Sequence, residues 1–291
     1  MYLKTLVMTF LPALVLVNAH AQGPIPESTA ERLLTQSFFV FDNGAGRDLW
    51  TPEQQAETLA RVGYAGIGYS GTKQLDERLK AFERHHLRIF NIYVGCNLDN
   101  DPMYGDDLKA AIMRLNGAGV TIWLTVQGHS KDEGKAVRVV SEIADLASAS
   151  GLKVALYPHA GFYVADIEDA LRIARLADRK NLGVTFNLCH ELKAGNEARF
   201  DELLEQAAPH LFVVSINGAD HEGGWDKLIQ PLGHGTFDLN RLLRKILTLE
   251  YEGPIGLQCY QVPGDTLANL EHNIAQWRNI VAQLAGKEER H

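Results

Sequence analysis

Eight short, β-rich apolar runs recur along this 291-residue chain, each followed by a longer amphipathic stretch, and no other feature restricts its folding as strongly. The runs are Phe38–Phe41, Ala65–Tyr69, Arg88–Val94, Thr121–Val126, Lys153–Tyr157, Gly183–Asn187, Leu211–Ile216 and Ile255–Cys259. Most are apolar at successive rather than alternate positions, the pattern of strands buried on both faces by a covering layer of helices. The intervening segments carry helix signals. Thr51 precedes Pro52 and the helical pattern from Ala56 to Val62, so it is placed to cap, with Pro52 in the first turn. Gly151 ends Val137–Ala149, Asp166 starts Ile167–Leu176, and Phe200–Ala207 and Leu239–Leu249 repeat the pattern. Eight strand–helix repeats in roughly 260 residues predict an α/β fold of the (β/α)8 TIM barrel type, as a single domain over residues 28–284. An open doubly wound sheet is the alternative. It favours a GxGxxG loop after its first strand, and Asp42-Asn43-Gly44-Ala45-Gly46-Arg47 lacks that spacing, so no nucleotide cofactor is expected.

The two ends of the chain read differently from this repeat. Lys4, the apolar run Leu6–Val17 and the small-residue exit Ala19-His20-Ala21 have the layout of a secretory signal peptide over residues 1–21. The run is about a dozen residues, well short of the roughly 20 that span a bilayer, so no integral span is expected after removal. The expectation is an exported protein, periplasmic or secreted. Residues 285–291 are expected to fray as a C-terminal tail. With 28 Lys and Arg against 36 Asp and Glu, the chain carries a formal charge of −8, which argues against nucleic acid as a partner. Cys96, Cys189 and Cys259 form no CxxC pair and read as small buried residues.

A barrel is filled by side chains, so chemistry gathers where strands run into the loops at their C-terminal ends. In order, those ends supply Asp42 and Asn43, Tyr69 and Ser70, Asn91 and Tyr93, Gln127 and His129, Tyr157 and His159, Asn187 and His190, Ser215 and Asn217, then Gln258 with Tyr260 and Gln261. Such amide, imidazole and phenol groups suit a small, hydroxyl-rich ligand, because a site that pairs each hydroxyl penalises ligands that leave its groups unpaired. His159 and His190 end neighbouring strands and are the candidate acid and base. Tyr157, Asn187, Gln258, Ser215, Asn217, His129 and Asp42 are candidate substrate-binding groups, and Trp225 a wall on which a sugar ring stacks. Asp42, Asp220 and Glu222 are the nearby carboxylates that would serve as base if the histidines do not. Trp123 reads as core.

Leu156-Tyr157-Pro158-His159-Ala160-Gly161, Phe186-Asn187-Leu188-Cys189-His190, Val214-Ser215-Ile216-Asn217, Leu232-Gly233-His234-Gly235-Thr236-Phe237-Asp238 and Gly256-Leu257-Gln258 resemble successive landmarks of the xylose-isomerase-like barrels. That superfamily includes sugar phosphate isomerases and epimerases, inosose dehydratases and repair enzymes of the endonuclease IV type. The resemblance covers essentially the whole mature chain and implies the same barrel. In the isomerases and epimerases, strand ends five to eight carry Glu, Asp, His and Glu around one divalent metal. Here Tyr157, Asn187, Ser215 and Gln258 stand at those positions. Neutral single donors hold a hard cation weakly, although imidazoles from His159 and His190 would suit zinc, nickel or cobalt, so a divalent metal stays open as a cofactor.

The resemblance and the strand ends together imply an exported carbohydrate-active isomerase or epimerase that moves a proton beside a sugar carbonyl through an enediolate. Elimination from the same enediolate would make it a dehydratase or lyase on an oxidised keto sugar or glycoside. A carbohydrate-binding barrel without catalysis is the third expectation. Export disfavours phosphorylated substrates, and no GxSxG, Walker or HExxH pattern points elsewhere.

Overall fold

In the computed structural model, which describes residues 37–286, each apolar run forms a strand because both of its faces find cover. The strands are β1 (Phe38–Phe41), β2 (Gly66–Ser70), β3 (Arg88–Asn97), β4 (Thr121–Gln127), β5 (Lys153–Leu156), β6 (Leu182–Asn187), β7 (Leu211–Ile216) and β8 (Ile255–Leu257). All pair in parallel, in chain order, and β8 closes on β1 through Phe39 opposite Gly256. The helices are α1 (Pro52–Val62), α2 (Leu75–Arg84), α3 (Asp106–Arg114), α4 (Glu133–Ala149), α5 (Ile167–Ala177), α6 (Leu188–Lys193), α7 (Phe200–Ala207), α8 (Trp225–Leu228), α9 (Leu239–Thr248) and α10 (Thr266–Leu284). This is a single (β/α)8 barrel. The expected signal peptide over residues 1–21 lies outside the described residues, as do residues 287–291 of the expected tail.

The local signals act as their chemistry dictates. Thr51 accepts from the Gln54 N–H while the Gln54 side chain accepts from the Thr51 N–H, a reciprocal capping box, with Pro52 opening α1. Asp166 caps α5 by accepting from the Asp169 N–H. Packing then separates two apolar clusters. Phe39, Phe41, Phe90, Trp123, Ala155, Tyr157 and Val213 fill the barrel, while a larger cluster joins the outer strand faces to the helices. The plug needs large and small residues in alternation: a Cβ at Gly256 would meet the Phe39 ring at 2.5 Å, so glycine there admits the aromatic. All three cysteines are free and buried.

One boundary differs in an informative way. The eighth apolar run extends to Cys259, yet β8 stops at Leu257. The Gln258 carboxamide oxygen captures the N–H groups of Cys259 and Tyr260 at 2.9 and 3.0 Å, which turns the chain out of the ladder and over the barrel mouth.

Candidate active site

A cleft of about 530 Å³ opens at the C-terminal ends of the strands. Its floor is made by Phe41, Tyr93, Tyr157 and Gln258, and its sides by His159, His190, Trp225 and Tyr260, with Asn43, Arg47, Ser70, Ala160, Ile229 and Gln261 completing the lining. A second depression, of about 820 Å³, lies at the opposite mouth around Arg88, Lys153 and Leu211, where the strands begin. It has no imidazole in its lining, and in this fold that end serves stability rather than chemistry.

The aromatic plug fixes the floor. Tyr157 is edge-on to Trp123 and Tyr93, with ring centroids 4.9 and 5.0 Å away, and its hydroxyl accepts from Gln258 Nε2 at 3.3 Å. Burial raises the Tyr157 phenol well above its ordinary value and pushes Tyr93 up to about 12, so both hydroxyls stay protonated. The histidines close one side. His159 stacks on Phe162 at 4.0 Å, His190 meets Trp225 edge-on at 5.2 Å, and the two imidazole centroids are 4.2 Å apart. Burial lowers the pKa of His159, and burial followed by the neighbouring His159 lowers His190 to about 3. Both rings are therefore neutral at physiological pH.

Asp42 is 1% exposed and fully engaged. Its oxygens accept from the Ser70 N–H at 2.9 Å and the Ser70 hydroxyl at 2.9 Å, and pair with Arg47 Nη2 at 2.5 Å. The carboxylate thereby holds Arg47 at the cleft edge instead of facing a ligand itself. Arg47 brings the one fixed charge into the lining, and nothing in the sequence marks it except its position five residues after Asp42.

Of the residues named from sequence, Asn43, Ser70, Tyr93, Tyr157, His159, His190, Trp225, Gln258, Tyr260 and Gln261 meet in the cleft. Asn187, Ser215 and Asn217 are fully buried outside its lining. Asn217 Nδ2 donates to the carbonyls of Gly218 and Leu228, each at 2.7 Å, and so braces the β7–α8 loop. His129 is exposed on the β4–α4 loop, outside the lining, where its N–H donates to Asp99. Asp220 accepts from Thr236, and Glu222 is exposed; neither belongs to the cleft lining.

The four strand-end positions do not form a cation site. Gln258 Oε1 accepts from Asn43 Nδ2 at 2.6 Å and from two backbone N–H groups, leaving no lone pair for a metal. Asn187 Oδ1 takes the Cys189 thiol, and Tyr157 is held as a neutral phenol. Among the described residues no group of three or more His, Cys, Asp and Glu is arranged to hold a metal ion. The donor chemistry here is that of hydrogen bonding.

A barrel with an aromatic, imidazole-bearing cleft at its C-terminal mouth defines a class, and comparison with known proteins places the chain within it. The family model for the xylose isomerase-like TIM barrel matches residues 56–280, and the chain belongs to that family. Over 122 residues it is 31% identical to an uncharacterized protein of Methanocaldococcus jannaschii, 41% of each chain; the chain thus spans less than half of that curated relative. The apo 3-keto-D-glucoside 4-epimerase of E. coli superposes with a TM-score of 0.69 at 14% identity, covering 84% of this chain and 99% of that one. The IolI protein with a bound zinc atom gives 0.69 at 18% identity, covering 88% and 100%. These likenesses are of fold. The described residues include no helix long and apolar enough to cross a membrane.

Proposed function

We propose that this chain is a carbohydrate-active isomerase or epimerase that moves a proton on the carbon beside a sugar carbonyl, through an enediolate. The observation that carries this reading is the pair of neutral imidazoles, 4.2 Å apart, in a cleft otherwise lined by aromatic and hydrogen-bonding groups. A volume of about 530 Å³ is within the usual range for small-molecule sites. Trp225 and Tyr260 offer apolar faces to a sugar ring, and Tyr157, Gln258 and Asn43 offer neutral hydrogen bonds to its hydroxyls. The fold neighbour that acts on a 3-keto-glucoside supports oxidised sugars as the first substrates to try. Export through the N-terminal segment belongs to the same proposal and favours free over phosphorylated sugars.

Incubating the protein with free and 3-keto sugars in heavy water tests the reading. Deuterium is expected on the carbon beside the carbonyl of at least one sugar, with conversion to an isomer whose mass differs only by the deuterium taken up. Loss of water or of an aglycone instead would make the enzyme a lyase. Binding of a sugar with neither exchange nor conversion would reject catalysis and leave a carbohydrate-binding barrel.

Because Gln258 and Tyr157 are committed as hydrogen-bonding groups, turnover is expected to survive dialysis against a chelator. Elemental analysis should then find well below one equivalent of any divalent metal. One equivalent that persists through the chelator would place a ligand set outside these residues.

A further inference from the structure

The backbone of one residue, Ala160, touches both histidines with opposite polarity. Its N–H donates to His190 Nδ1 at 3.0 Å, and its carbonyl oxygen lies 3.0 Å from His159 Nδ1. A backbone N–H can only donate, so His190 Nδ1 carries a lone pair and the neutral ring has its proton on Nε2. A carbonyl can only accept, so His159 Nδ1 carries the proton and its Nε2 is bare. Among the described residues neither Nε2 has a protein partner, and neither is among the sealed polar atoms of the interior. Both rings line the cleft.

We infer that the two histidines hold complementary tautomers with separate tasks: His159 Nε2 is the general base, and His190 Nε2–H is a fixed donor to the substrate carbonyl oxygen. This division rests on the proton-transfer reading above and assigns its parts. In the step, His159 Nε2 takes the proton from the carbon beside the carbonyl. The C–H electron pair becomes the carbon–carbon double bond of the enediolate, and the former carbonyl oxygen accepts from His190 Nε2–H. Delivery of that proton from the His159 imidazolium to the former carbonyl carbon, with the neighbouring hydroxyl proton passing between the two enediolate oxygens, gives the isomeric sugar with no net oxidation; return to the original carbon gives exchange alone. His190 never gives up its proton, because a neutral imidazole is a very weak acid. Its depressed basicity, to about 3, suits that task, since a ring that does not become cationic keeps the same donor throughout. His159 also has lowered basicity, which makes it a modest base that relies on polarisation of the carbonyl. Phe162, stacked on His159, fixes the ring plane.

The tautomers are measurable without any substrate. In protein labelled with ¹⁵N, two-bond proton–nitrogen correlation spectra near pH 7.5, assigned by the single variants, are expected to show unprotonated Nδ1 in His190 and unprotonated Nε2 in His159. The opposite pattern on either ring would overturn the inference whatever the activity. Exchange assays in heavy water supply the second arm. His159→Gln is expected to lose about 10²- to 10⁴-fold, since an amide cannot take a proton. His190→Gln, whose amide still donates, should keep more than about a tenth of the activity, whereas His190→Leu should lose about 10²-fold or more. A His190→Gln loss as deep as that of His159→Gln would make both rings proton carriers and overturn the division. The expected tautomers with no exchange on any sugar would instead reject the proposed function, and the catalytic roles with it, while the tautomer assignment stood.

Discussion

Above pH 8, Glu191→Gln is expected to be more stable than the wild-type protein, by roughly 3 kcal/mol, and below about pH 5 the order should reverse, by up to about 1–2 kcal/mol. Glu191 follows His190 in α6 but points away from the chemistry, fully buried, accepting from the Ile167 N–H at 2.8 Å and from Asn196 Nδ2 at 2.9 Å. Burial raises its carboxyl to about 8, with the two hydrogen bonds opposing this only in part. The folded state thus prefers the protonated acid. A group whose pKa is higher folded than unfolded contributes its stability below the unfolded value, about 4.5, and loses it as pH rises through 8. A displacement of that size corresponds to roughly 5 kcal/mol at its limit. Glutamine keeps an acceptor for Ile167 but turns an amino group toward Asn196, at a cost of about 1–2 kcal/mol, which leaves the smaller figure. Urea unfolding of both proteins at pH 5, 7 and 9 measures the difference. If the two stabilities run parallel across that range, Glu191 does not titrate there and is held ionised by its two donors.

Asp42→Ala is expected to cost about 3 kcal/mol and to weaken the cleft without removing its base. The substitution strands the Ser70 N–H and frees the Arg47 guanidinium, both of which Asp42 now holds. Because Arg47 is itself 38% exposed, water takes back part of its loss, which keeps the figure at the lower end for a broken buried pair. Asp42→Asn retains an acceptor and should recover about half of that stability. The kinetic readout separates the two roles open to this acid. A positioning group gives a rate loss of roughly tenfold or less in Asp42→Asn, whereas a loss of 10²-fold or more in a well-folded variant would make Asp42 the proton acceptor in place of His159.

The strand positions were legible because their signal is local: a three- to ten-residue run of mostly buried side chains, bounded by a cap such as Thr51 or a stop such as Gly151, depends little on distant residues. The meeting of Tyr157, His159, His190 and Gln258 was legible for a related reason. Each follows a strand within three residues, and a parallel barrel brings all strand ends to one mouth. Asn187, Ser215 and Asn217 end strands too, yet the structure buries them outside the cleft lining. The direction of a polar side chain at a strand end depends on loop carbonyls that arrive from far along the chain, as Leu228 does for Asn217. Arg47 shows the converse. It sits in a loop with no periodicity, and only Asp42, together with Ser70 from the next strand, brings its guanidinium to the cleft.

The amino-acid sequence by itself specified the number of strands, their order and the mouth at which the polar strand ends gather, because apolar periodicity and helix caps act over a few residues and closure of eight parallel repeats allows little else. Tertiary structure alone decided the charge and proton states within that mouth. Burial of His190, Glu191 and Tyr157, the sequestering of Asp42, and the two polarities of the Ala160 peptide all depend on which groups approach from other elements and how much water they exclude, and neither quantity is written in local order.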